Sequence, residues 1–62
     1  MIESVSEPVW LPNKRQWQIV YTVKDSEIGK YQQRVWCEAF ISAERVVKHI
    51  KERIENDLCN KI

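Results

Sequence analysis

Two stretches of this chain alternate in polarity with a period of two, and only one helix-forming stretch follows them. In Gln16–Lys24 (QWQIVYTVK), Trp17, Ile19, Tyr21 and Val23 fall on one side, and Gln16, Gln18, Val20, Thr22 and Lys24 on the other. In Lys30–Ile41 (KYQQRVWCEAFI), Tyr31, Gln33, Val35, Cys37, Ala39 and Ile41 share one side, and Gln32, Arg34, Trp36, Glu38 and Phe40 the other. Alternation among β-branched and aromatic residues is the signature of half-buried strands. Between them Asp25–Gly29 carries the only glycine, at a place where a tight turn calls for positive φ. Residues 16–41 therefore read as a β-hairpin.

The C-terminal third changes period. Ala43, Val46, Val47, Ile50, Ile54 and Leu58 follow helical spacing and form one apolar stripe. Ser42 reads as the N-cap of a helix over residues 43–59, with Glu44 in the first turn. Glu44–Lys48 and Lys51–Glu55 are i, i+4 pairs in the favourable order. The first twelve residues, with Val9–Trp10–Leu11 between Pro8 and Pro12, read as an extended arm or a short edge strand. The expected fold is a small two-layer α+β domain of order (β)ββα. An antiparallel hairpin packs its odd face on one C-terminal α-helix, and residues 1–62 form a single domain.

One helix covers one face, so the two sides of the ribbon are not equivalent. A first register sets Tyr21 opposite Val35 and Ile19 opposite Cys37. On the far side it pairs Val20 with Trp36, Thr22 with Arg34, Gln18 with Glu38 and Gln16 with Phe40. A second register, one pair over, keeps the same residues on each face. Either way Val20, Arg34, Trp36 and Phe40 lie on a face without a helix, with Trp10 as a further aromatic in need of a site. Exposed aromatics on a small sheet mark a contact surface. The occupant is the chain's own arm, with Trp10 over Trp36, a second copy of the chain, or another protein.

Size argues for association. With 62 residues, burial at about 25 cal/mol/Å² is nearly cancelled by roughly 1.5 kcal/mol of ordering entropy per residue. Chains of this length recruit disulfides, metal or oligomerisation. The two cysteines, Cys37 and Cys59, are too few for a disulfide scaffold and read as reduced thiols. With His49 as the only histidine, no metal site is expected. No cofactor-binding motif occurs, and no nucleophile stands beside a base. Cys59 and His49 lie ten residues apart on the same helix, about 15 Å along its axis.

The expected function is thus non-enzymatic. It is a protein-interaction module that forms a homodimer or larger homo-oligomer and regulates, inhibits or scaffolds a protein partner through Trp10, Val20, Arg34, Trp36 and Phe40. The alternative is nucleic-acid binding by the same face. There Gln16, Gln18, Thr22, Lys24, Gln32 and Arg34 would contact DNA or RNA, with Trp36 stacking on a base and Lys14, Arg15 and Lys30 near phosphates. Ten basic against nine acidic residues, a net charge of +1, weigh against that alternative, as does Glu38 on the same face. No apolar run approaches the roughly 18 residues of a membrane span, and Glu3 and Glu7 without a base do not suit a leader. A cytoplasmic location is the expectation.

Overall fold

The computed structural model describes residues 1–59. In chain order it contains β1 (Ile2–Val5), β2 (Val9–Leu11), β3 (Gln16–Asp25), β4 (Gly29–Cys37) and α1 (Phe40–Cys59). The strands form one antiparallel sheet packed with the C-terminal helix, a small α+β fold. β3 lies in the middle. β4 takes one of its edges along the full length, whereas β1 and β2 share the other, opposite the two ends of β3.

The N-terminal arm is therefore one strand broken in two, and Ser6 shows how the break is bridged. The Ser6 amide donates to the Val20 carbonyl at 2.8 Å. The Val20 amide, deprived of a backbone partner, donates to Ser6 Oγ at 2.9 Å. Pro8 follows immediately and has no donor to offer a ladder. A bulge at Glu3, between Ile2 opposite Val23 and Ser4 opposite Thr22, adds a second irregularity to this edge.

Both turns are fixed locally. Between β2 and β3 the Lys14 amide donates to the Leu11 carbonyl at 3.2 Å, and Arg15 closes the turn with φ 52°. Between β3 and β4, Asp25 Oδ1 accepts from the amides of Glu27 (2.7 Å) and Ile28 (3.0 Å). These bonds to the charged form hold the Asp25 carboxyl below its usual pKa. Gly29 then enters β4 at φ 92°, a conformation that L side chains rarely adopt. This turn selects the hairpin register. Asp25 pairs with Gly29, so Ile19 faces Val35, Val20 faces Arg34 and Gln18 faces Trp36. The pairing of Tyr21 with Val35 would have required two more residues in the loop and is replaced by the register one pair over.

The odd face packs on the helix as its pattern requires. Ile19 and Ala43 are fully buried and Val47 nearly so, with Val5, Trp17, Val35, Cys37 and Val46 half-buried around them. Element boundaries differ from the sequence reading by one residue on each side of the hairpin turn, where β3 runs on to Asp25 and β4 starts at Gly29, and by more at the junction of β4 with the helix. β4 stops at Cys37 and the helix starts at Phe40, so neither a strand to Ile41 nor a helix from 43 is present. The first helical amide bond runs from Ala43 to the Ala39 carbonyl at 3.2 Å. Ser42 therefore sits inside the first turn instead of capping it, and Glu44 lies beyond that turn. The cause is Phe40, whose ring meets Trp17 edge-on at 4.7 Å and draws the chain into the helix early. At the other end Leu58 remains exposed and, with Ile54, Met1 and Ile2, lines a shallow cleft between helix and β1. The helix lies closer to β1 than to β4, and Lys51 reaches Glu7 at 3.5 Å on that side.

Candidate interaction surface

Alternation about β3 places Gln16, Gln18, Val20, Thr22 and Lys24 on the face away from the helix. Across the ladder the same face takes Lys30, Gln32, Arg34 and Trp36 from β4, and Val9 and Leu11 from β2. No other element of the described chain lies over this face. Trp36 is 44% exposed, a large value for an indole. It is nevertheless held. Its Nε1 donates to Gln18 Oε1 at 3.1 Å, and Lys14 Nζ stands 4.8 Å from the ring centroid. The first bond exists because Gln18 and Trp36 are directly paired; the second because the tight turn after Leu11 swings Lys14 over the sheet.

The five residues expected to form one surface are divided by the structure. Val20, Arg34 and Trp36 share the outer face. Trp10 and Phe40 do not. Trp10 is paired with Trp17, so it points to the helix side, and its ring lies 5.3 Å from that of Trp17. Phe40 belongs to the helix and packs on the other flank of Trp17. The idea that Trp10 shelters Trp36 is thereby corrected: Trp10 belongs to an aromatic trio at the open end of the core. Trp10 and Phe40 stay partly exposed there.

Charge is also distributed differently from the sequence expectation. Glu38 sits in the bend after β4 and not on the sheet. The outer face and its rim then carry Lys14, Lys24, Lys30 and Arg34. Their acidic companion is Glu3, brought by the β1 bulge to Lys30 at 3.0 Å. That pair is solvent-exposed and contributes little stability. Of the residues named for nucleic-acid contact, Gln16, Gln18, Thr22, Lys24, Gln32 and Arg34 all fall on this one face. The structural roles of Gln18 and Lys14, which fix the indole, are not in the sequence reading; the missing signal is the β3–β4 register for Gln18 and the turn after Leu11 for Lys14.

A further feature is the exposed edge of β4. The Val20 carbonyl and amide both point to the β1 side, where they meet Ser6, and the Lys24 amide points there too, toward Met1. Opposite them, Arg34 and Lys30 belong to pairs that make no ladder bonds with β3, and the alternation extends this to Gln32 and Trp36. The amides and carbonyls of these four residues therefore face outward along an edge free of proline and bulge.

Elsewhere, Cys37 is half-buried beside the core and Cys59 is exposed, both as free thiols. Among the described residues no three His, Cys, Asp or Glu side chains stand close enough to hold a metal ion. No helix of the described residues is long and apolar enough to cross a membrane. No family model, curated protein or solved structure matches the chain.

Proposed function

We propose that the chain is a non-enzymatic interaction module that associates with itself and regulates or scaffolds a protein partner through the outer sheet face. The observation that carries this reading is Trp36, an indole anchored by Gln18 and Lys14 yet uncovered on a face with no second layer. A fixed aromatic loses little entropy when a partner covers it, which is why such residues become hot spots. The shape agrees. The molecule measures 41 × 23 × 11 Å. Its accessible surface is 4948 Å², against about 4,200 Å² for a compact chain of this mass. The excess reflects a flat molecule with a broad open face.

The test is sedimentation equilibrium together with capture of the partner, on wild type and Trp36→Ala. Taking about 250 Å² for a fully buried indole, the 44% in solvent is about 110 Å², or some 2.7 kcal/mol of contact. Loss of Trp36 should weaken binding roughly a hundredfold. Unchanged binding in Trp36→Ala rejects the outer face as the contact surface.

A second reading has one observation in its favour. Lys14, Lys24, Lys30 and Arg34 concentrate on the face that also offers Gln16, Gln18, Thr22, Gln32 and Trp36, with Glu3 as the opposing acid. Such a face suits nucleic acid. Binding to mixed-sequence DNA and RNA at about 50 mM salt, falling steeply as salt rises and lost in Arg34→Ala, is what this reading requires.

A further inference from the structure

We propose that a second copy of this chain adds to the free edge of β4. It runs antiparallel about a two-fold axis at Gln33, and the sheets of the two copies become one. This rests on the self-association proposed above but places its contact at the β4 edge, leaving the outer face and Trp36 for the protein partner.

The two edges of the sheet are treated differently. The β1–β2 edge is short, bulged at Glu3, interrupted at Ser6 and closed to pairing at Pro8. Those are the devices by which proteins block edge-to-edge contact. β4 has no proline, break or bulge over Gly29–Cys37, its only edge charges being Lys30 and Arg34, and the helix leans toward β1, leaving the β4 side open.

Strand polarity and charge then choose one register. Only the outward-facing residues Lys30, Gln32, Arg34 and Trp36 can exchange bonds across the new ladder. With the axis at Gln33, Lys30 meets the partner's Trp36 and Gln32 meets the partner's Arg34. All four outward residues are used, and each pair exchanges two backbone bonds. On the outer face this sets a cation beside an indole and an amide beside a guanidinium. On the helix side Tyr31 meets the partner's Val35, and both are half-buried within one copy. Moving the axis to Arg34 sets that residue against the partner's Arg34; moving it to Gln32 sets Arg34 against the partner's Lys30. Either shift opposes like charges directly and shortens the overlap. The assembled sheet would present two Trp36 side chains on one continuous outer face.

Two variants and a control test this on the full chain. Gln32→Pro removes an amide that faces outward and makes no bond to β3, so the monomer fold should survive by circular dichroism while the dimer Kd rises about tenfold or more. Gln33→Cys, in a Cys37→Ala, Cys59→Ser background, sets two thiols on the axis. There the Cα atoms of a pair without ladder bonds are about 4.5 Å apart, within disulfide reach. Mild oxidation should cross-link it readily. Tyr31→Cys in the same background should not link to itself, because its copies lie about 13 Å apart. A wild-type protein that stays monomeric at high concentration overturns both this proposal and the self-association beneath it. A dimer that keeps its affinity in Gln32→Pro, or that does not cross-link through Gln33→Cys, overturns edge pairing and leaves self-association through the outer face. If Gln32→Pro does not fold, the cross-linking pair decides alone.

Discussion

Dilution is the most direct perturbation of the proposed association. The core centres on Ile19, Ala43 and Val47, and Ile19 is its one large side chain with no exposure. For 62 residues, ordinary folding stabilities amount to about 3–9 kcal/mol, and a core this thin belongs at the low end. A chain that is folded as a dimer draws part of its stability from its partner, and that part varies with concentration. Each tenfold change in concentration is worth about 1.4 kcal/mol per dimer, or about 0.7 kcal/mol per chain. The unfolding entropy at about 2.1 cal/mol/K per residue is roughly 130 cal/mol/K for this length. The ratio gives a Tm shift of about 5 °C per decade of concentration above the dimer Kd.

The assay is thermal unfolding followed by far-ultraviolet circular dichroism from about 1 to 100 µM, with refolding checked on cooling. A dimer should move by about 10 °C over that range. A Tm constant to within about 1 °C, with reversible unfolding, would show that the three-residue core suffices for the isolated chain. It would refute the inference from thin core to partner, whatever Trp36 does at the surface.

Three further outcomes follow from local geometry. Ser6→Ala leaves the half-buried Val20 amide without its acceptor and should cost about 1–2 kcal/mol in urea unfolding, whereas Ser4→Ala should be near neutral. Gly29→Ala should destabilise by about 1 kcal/mol through backbone conformation alone, since a Cβ there meets nothing within 4 Å; a drop far larger would mean the turn packs against something else. Asp25 has a folded-state pKa below its unfolded value of about 3.8, so its contribution is fully present above that pH and is lost as pH falls through the lower, folded value. Asp25→Asn, which keeps an acceptor without a proton to gain, should flatten the fall in Tm between about pH 5 and pH 2 relative to wild type.

How much of this was legible beforehand follows from which forces act locally. The alternation in Gln16–Lys24 fixed which side of β3 meets the helix, because burying Ile19 and Trp17 leaves no other choice. The spacing of Ala43, Val46 and Val47 fixed the helix face in the same way. The register was narrowed to two by pattern alone. The deciding element was Asp25, whose side chain accepts from the Glu27 and Ile28 amides in the turn that pairs it with Gly29. The division of the aromatics was not legible. Trp10 is drawn to Trp17 by the local pairing of β2 with β3 across a turn that the pattern did not register, whereas Phe40 is drawn to Trp17 by a helix that begins early, a contact between segments 23 residues apart. Periodicity assigned Phe40 to a strand because it cannot see that a ring across the sheet competes for it.

The same competition explains why the outer face keeps a bare indole. Trp10, Trp17 and Phe40 satisfy one another on the helix side, at the end where the core is open. That removes from the arm the aromatic that could have folded back over Trp36. The arm is instead committed, through Ser6 and the paired residues of β1 and β2, to the edge of β3. Among the described residues, only the Lys14 side chain reaches over Trp36, and no strand is left to pair with the free edge of β4. Among the described residues no element lies on the outer sheet or along its open edge, and an indole fixed by Gln18 and Lys14 there is well suited to a partner molecule.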